Sequence, residues 1–489
     1  MNLSLPILIV APLVGVLLFF VLPRRWPAVI GGLALLIVGA CLATEITLYA
    51  FRLYNNIIVY NFGLALILDG LSHLMLVVID GVAFFITLYS LAYFSKYSEN
   101  KRFFILFFLM LAGLHGLVLV SDLLRFYLFL EVSALAAYAL VAYGSGKKEL
   151  EATFKYFILG ELASIMILLA IAIIHATIGS TSMSEVARGY ASLAPLTKAI
   201  IGCLLLGGIG TKTALFPFHW WLPDAHTAAP APVSAMLSGV IIKILGIYAL
   251  ARILFNCLGA SNQLLLVLGI LGGLSILYGG FLANRQNDMK RLMSYSSISQ
   301  IGYIVLGLSL ASPLGIMGGL FHLFNHALMK PLLFLVSGAV EYQTGTRNLT
   351  ELGGLRQKMP VTSLGALAGS LAISGMPPFN GFWSKLFIII ACVQAGHLWL
   401  ALAAVIGSLL TMAAFLKVMQ LAFFSSLKDS LARLTEAPLT MTLAMAGLAL
   451  LTLLGGLFFP IIIEKLINPA AITVLNGIGY SQMITGGRL

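Results

Sequence analysis

Gly207-Gly208-Ile209-Gly210-Thr211-Lys212-Thr213-Ala214-Leu215-Phe216-Pro217-Phe218-His219-Trp220-Trp221-Leu222-Pro223-Asp224-Ala225-His226 is the stretch on which the fold turns. It ends an apolar run, yet it carries three glycines, two prolines and a lysine. Glycine and proline remove helical hydrogen bonds, and in lipid the freed backbone groups are tolerated only where protein buries them or a wet cavity meets them. The stretch therefore reads as a spanning helix that breaks on purpose. A second break, Ser374-Gly375-Met376-Pro377-Pro378-Phe379-Asn380-Gly381, divides a 35-residue apolar run and has Lys385 close by. Paired broken helices in two halves of a chain suggest inverted repeats with an ion path between them.

Around these breaks the chain is apolar from end to end. Of 489 residues, 60% are hydrophobic and only 9% charged, and the mean hydropathy is +1.04, which excludes a soluble globular domain. Windows of about 20 apolar residues place spans near 3–22, 27–51, 68–95, 102–121, 123–143, 155–178, 197–219, 229–255, 263–283, 292–310, 313–340, 361–395, 397–423 and 437–463. The expected fold is an all-α polytopic membrane protein of fourteen spans. Leu3 to Leu22 lacks a basic leader and is read as the first span, not a signal peptide.

The net charge of +11 follows from topology, because the basic residues are spread over short loops and form no nucleic-acid patch. Alternating the loops puts sixteen Lys and Arg on one side and seven on the other, Arg252 among the seven, with five inside spans. The positive-inside rule then places both termini outside, in a prokaryotic cytoplasmic membrane. The cysteines Cys41, Cys203, Cys257 and Cys392 are single and far from any Cys/His cluster, so no metal site, iron–sulfur cluster or cofactor is expected.

A lysine or carboxylate at the centre of a spanning helix costs about 2.5–3.5 kcal/mol on insertion scales, so it faces a partner or a wet cavity. Glu131, Lys212, Lys243, Lys330 and Lys385 all lie in apolar surroundings. Burial lowers a lysine's proton affinity and a nearby carboxylate raises it, which is the property a proton relay needs. His322, His326 and Lys330 recur every fourth residue and share one helical face. His219 and His226 bracket a polar turn containing Asp224 and are candidates to connect the seventh span to the eighth. The plainer readings are packing ion pairs and interfacial side chains, and for Asn287-Asp288-Met289-Lys290-Arg291 a topological anchor. Asp80, Glu45, Glu161 and Lys417 are further ionisable residues without an evident partner.

Four segments together are specific enough to carry a resemblance: Gly210 to His226, Ala229-Pro230-Ala231-Pro232-Val233-Ser234-Ala235, Ser296-Ser297-Ile298-Ser299-Gln300-Ile301-Gly302-Tyr303, and Met376 to Lys385. The chain resembles the antiporter-like subunits shared by respiratory complex I, Mrp-type sodium/proton antiporters and membrane-bound hydrogenases. The resemblance implies fourteen core helices, inverted repeats in helices 4–8 and 9–13, and discontinuous helices 7 and 12. It also implies a line of charge across the membrane midplane, here Glu131, Lys212, Lys243, His322 with His326 and Lys330, and Lys385. The corresponding segments are 1–101 for the first three spans, 102–255 and 256–423 for the repeats, and 424–489 for the last span and tail.

Lysine at 385 is closer to the D-type chain of Mrp antiporters and the hydrogenase relatives than to the complex I chain with glutamate there. The expected absence of a long lateral helix sets aside the most distal of the complex I chains. The function implied is proton or Na+/H+ translocation inside a hetero-oligomer of sister antiporter-like subunits, small membrane subunits and a redox arm, with no catalytic site in this chain. A stand-alone transporter of an organic substrate would use the same repeat logic. A haem- or quinone-binding subunit needs histidines at matching depth on two helices, whereas His73, His115, His175 and His397 read as isolated.

Overall fold

A computed structural model describes residues 4–52, 58–62, 64–97 and 100–479. The chain termini, with Arg488, lie outside them. The protein is mostly helical, and among the described residues ten helices are long and apolar enough to cross a membrane. Helices α1 (Ser4–Val21) and α2 (Pro27–Arg52) are followed by an antiparallel hairpin of β1 (Ile58–Phe62) and β2 (Leu64–Leu68), then α3 (Gly70–Tyr93). The hairpin corrects the all-α expectation. Its β-branched Ile58, Val59 and Ile67 favour extended backbone, and Leu66 bridges to Val120.

The next elements are α4 (Asn100–Leu119), α5 (Leu123–Val141), α6 (Lys147–Ile178), the short α7 (Met183–Gly189), α8 (Pro195–Thr213), α9 (Trp221–Ala228) and α10 (Ala231–Cys257). They are followed by α11 (Asn262–Asn284), α12 (Met289–Ser309), α13 (Pro313–Thr344), α14 (Pro360–Ser374), α15 (Asn380–Gln394), α16 (Leu398–Phe424), α17 (Leu439–Leu457), α18 (Phe459–Ile462) and α19 (Asn468–Leu475). The stretch read as a polar turn, Trp221 onward, is a helix of its own: once the chain breaks after Thr213, the remaining half-span restarts as α9.

Helices α10 and α13 form the centre, with nearly every residue buried, while α2, α6 and α16 turn large faces outward. Without a hydrophobic force between helices in lipid, close approach depends on small residues. A Cβ on Gly302 would stand 2.5 Å from the Gly272 carbonyl oxygen, and one on Gly246 2.6 Å from the Thr213 Cα, so α11 meets α12 and α8 meets α10 backbone to backbone.

Arg252 is no loop cation. It is 2% exposed in the last turns of α10 and clamps Asp69, with Nη2 at 3.0 and 2.8 Å from the two carboxylate oxygens. Asp69 also caps α3 through the Ser72 amide. Asn256, one turn beyond Arg252, donates to Thr473 O and so ties α19 to the same knot. Removing one partner of a buried pair costs about 3–5 kcal/mol because the other charge is stranded. Asp69→Leu is therefore expected to lower the thermal unfolding midpoint of the solubilised protein sharply, and an unchanged midpoint would rule out this knot as a stabilising element.

Candidate functional site

The last carbonyls and first amides at each break need partners, and the local sequence supplies them. After α8, Ala214 takes the left-handed conformation, Leu215 N bonds back to Gly210 O, and Phe216 N is received by Ser275 Oγ of α11. Trp221 Nε1 reaches across the break to Thr211 O. After α14, Gly375 is left-handed, Met376 N bonds to Leu371 O, and Asn325 Nδ2 of α13 reaches Asn380 O.

Each break positions a lysine. Lys212, 5% exposed, places Nζ 3.3 Å from the Tyr138 hydroxyl and 4.0 Å from Glu131 Oε1, both on α5. Glu161 of α6 lies within electrostatic reach of Lys212 and Glu131, so two carboxylates flank one ammonium. Tyr138 packs edge-on to Tyr156, which stacks on Trp221 at 4.2 Å, and this aromatic ladder fixes α5 and α6 against the break. Lys385 of α15 donates to Ile373 O at 2.8 Å and stands 4.9 Å over the Tyr303 ring.

The other titratable groups gather between α10, α12 and α13. Lys243 is fully buried and donates to Ser238 O, and the Ser238 hydroxyl meets Ser297 Oγ at 2.9 Å. Residues Leu237–Tyr248 of α10 wind with π-type hydrogen bonds, a distortion frequent at functional positions. Lys330 donates to Met293 O and Ser296 Oγ at 2.6 and 3.0 Å. His322 bridges Gln300 Oε1 of α12 at 3.1 Å and Ser384 Oγ of α15 at 2.9 Å. An amide oxygen only accepts, so the Gln300 contact assigns a proton to Nε2, and the Ser384 hydroxyl lies between His322 Nδ1 and Gly381 O, the latter at 3.2 Å. Both nitrogens of His326 are buried with no hydrogen-bond partner among the described residues.

Thus Lys243 lies within electrostatic reach of His322, His326 and Lys330, and Lys385 within reach of both histidines. Among the described residues no hydrogen bond or ion pair links the ammonium groups of Lys212 and Lys243, and their helices meet closely at Thr213 and Gly246, beside both lysines. His226 stacks on Phe334 of α13 and lies near Lys243, Lys290 and Lys330, and its carbonyl oxygen accepts from Ser234 Oγ of α10 at 2.8 Å. His219 stands in an aromatic cage of Phe216, Trp220 and Tyr278. Asp224 is partly exposed and pairs with Lys155 and Arg291, each at 3.0 Å.

That pair lies in a cavity of about 830 Å³ whose walls include Lys155, Asp224, Lys290, Arg291, Glu341 and Arg347. Lys290 corrects the anchor reading of residues 287–291. Asp288 caps α12, which starts earlier than the span read from hydropathy, and this carries Lys290 inward to donate to Ala229 O at 2.6 Å.

The model of the NADH:quinone oxidoreductase/Mrp antiporter transmembrane family matches residues 120–411, more than half of the chain and all the elements just described from α5 to the middle of α16. The chain belongs to this family. A model for the N-terminus of complex I chain 5 matches residues 56–104. NADH-quinone oxidoreductase subunit N of Desulforudis audaxviator is 36% identical over 430 residues, 83% of this chain and 85% of that protein. The D-type chain of the Na+/H+ antiporter of Alkalihalophilus pseudofirmus is 31% identical over 374 residues, 76% and 75% of the two chains. A chain of the membrane-bound sulfane sulfur reductase, an archaeal respiratory membrane complex, superposes with a TM-score of 0.92 at 27% identity, covering 99% of this chain and all of that one.

Within this antiporter-like chain the residues that sequence reading leaves unpartnered are Glu161, beside Glu131; Asp80, bonded to His115 at 3.0 Å; Glu45, beside Asp80; and Lys417, which donates to Asn284 O and Gln286 O at 3.1 and 2.8 Å. Glu161 carries one signal, a carboxylate in the middle of a spanning helix, but not the rotation of α6 that turns it toward α5.

Proposed function

We propose that this chain is the proton-translocating antiporter-like subunit of a hetero-oligomeric membrane complex, working beside sister subunits that supply the redox or ion-gradient drive. The observation that carries the reading is the ammonium of Lys212 at 4.0 Å from Glu131 beside a broken helix. In this reading the separation of that pair changes with the state of the complex, and the lysine's proton affinity changes with it. Moving one charge against 100 mV takes about 2.3 kcal/mol, and one pKa unit is about 1.4 kcal/mol, so a change of a few units in one pair moves one ion.

The fourteen-span, inverted-repeat reading, with repeats in 102–255 and 256–423, has support in a constant sequence offset. Helices α6 and α13 both have 32 residues and both end at a left-handed glycine, Gly179 and Gly345. Asp122 caps α5 and pairs with Ser182, while Asp288 caps α12 and pairs with Asn348. Gly113 packs against Phe129 and Ser133, and Gly279 against Tyr295 and Ser299. Each of these residues lies 166 positions before its counterpart.

From Lys212 the proton would pass to Lys243, then His322, His326 and Lys330, and leave by Lys385. These are proton-binding groups that repel sodium, and the carboxylates near the line are at its Glu131 end. The charged cavity is the entry from the basic, cytoplasmic side, with both termini outside; Lys290 and His226 lead from it towards Lys330.

Proteoliposomes holding the purified native complex, with internal pH and internal sodium followed together, test the reading. A driven pH change that persists without sodium is expected. A sodium flux with no accompanying pH change would overturn it.

A further inference from the structure

Helix α2 is peripheral, with Leu36 and Ile46 exposed, yet Glu45 on its inner face is 2% exposed. Among the described residues no amine, amide or hydroxyl donor reaches either carboxylate oxygen of Glu45, and its nearest polar neighbour is the carboxyl of Asp80. Asp80 is on α3, and one of its oxygens contacts His115 Nε2 of α4 at 3.0 Å while no such donor reaches the other. The second ring nitrogen of His115 is unpartnered as well. One donor atom from each of the three side chains lies within 4.8 Å of the other two. Among the described residues no lysine or arginine pairs with either acid, in contrast to Asp69 with Arg252 and Glu131 with Lys212.

Two carboxyl groups that face each other beside an imidazole in an apolar interior need a shared counter-charge to ionise there, because an unpaired buried charge costs several kcal/mol. A doubly charged cation restores neutrality. The donor set narrows the choice further: carboxylate alone suits hard cations, but an added imidazole nitrogen belongs to zinc and its first-row neighbours. We propose that Glu45, Asp80 and His115, converging from three helices outside the translocation line, form a binding site for a divalent transition-metal cation of the zinc class.

The full chain in its native complex, stripped with chelator and then equilibrated with Zn2+ alone, tests this. By elemental analysis the wild type is expected to hold one Zn2+ per copy more than the Glu45→Gln and Asp80→Asn variants, with binding at least about tenfold weaker in each variant. Its unfolding temperature should rise with Zn2+, and those of the variants should not. Equal zinc content and equal thermal shifts would overturn the site. So would the absence of bound zinc together with an infrared band of a protonated carboxylic acid that Glu45→Gln removes, which would make the pair a shared-proton site. If the acid variants fail to assemble, the zinc absorption edge of the reloaded wild type decides: oxygen ligands with one imidazole support the site, and thiolate ligands overturn it.

Discussion

Lys212→Ala is expected to abolish driven proton flux while the complex assembles at the wild-type level. The ammonium is the sole cation between Glu131 and Glu161 among the described residues, so its removal takes away the charge whose attraction to Glu131 is proposed to switch. Packing has little stake in the change. Lys212 is next to last in α8, alanine suits a helix, and the Nζ contacts are side chain to side chain, so no backbone carbonyl is orphaned. Glu131 Oε1 is buried and loses its cation in the variant, while 15% of the Glu131 side chain stays exposed. Flux at background in proteoliposomes, beside an unchanged band for the complex on a native gel, is the expected pair of results. Flux at the wild-type rate would remove Lys212 from the path.

Sequence reading reaches the breaks and the buried lysines because both are chemical contradictions. Glycine, proline and ammonium stand where an apolar helix would carry leucine, and lipid permits them only with compensation. What it misses depends on helix rotation and on exactness of span ends. Counting loop charges treats a cation in the end turns of a helix as a loop cation, and so puts Arg252 and Lys290 at surfaces although both are buried. Glu45, Asp80 and His115 come from three successive helices at equal separations in the chain, but a separation that runs through loops does not say which helical faces meet. The repeat, by contrast, has a trace in the chain itself: Gly113, Asp122, Ser133 and Gly179 each recur 166 residues later as the same residue type.

Lys385→Glu is expected to reduce flux by at least about tenfold, equivalent to about 1.4 kcal/mol in a barrier, although the family resemblance implies that either residue type serves at this position. If charge exchange alone mattered, glutamate would pump. The surroundings here are built for a donor. Nζ bonds the Ile373 carbonyl, one of the last in α14 and without a helical partner because the chain breaks after Ser374. It also lies over the negative face of Tyr303, and the stem runs past Gly375, where even a Cβ would approach Lys385 Cδ to 3.2 Å. A carboxylate in that place meets a carbonyl oxygen and a π face, both repulsive, and leaves Ile373 O unsatisfied at about 1–3 kcal/mol. The side chain would have to turn away from the break, and with it from the position that adjoins Ser384 and His322. Loss of flux with a modestly lowered unfolding temperature would mean that this exit depends on a lysine geometry set by the broken helix; full flux would mean that any titrating group at 385 completes the line.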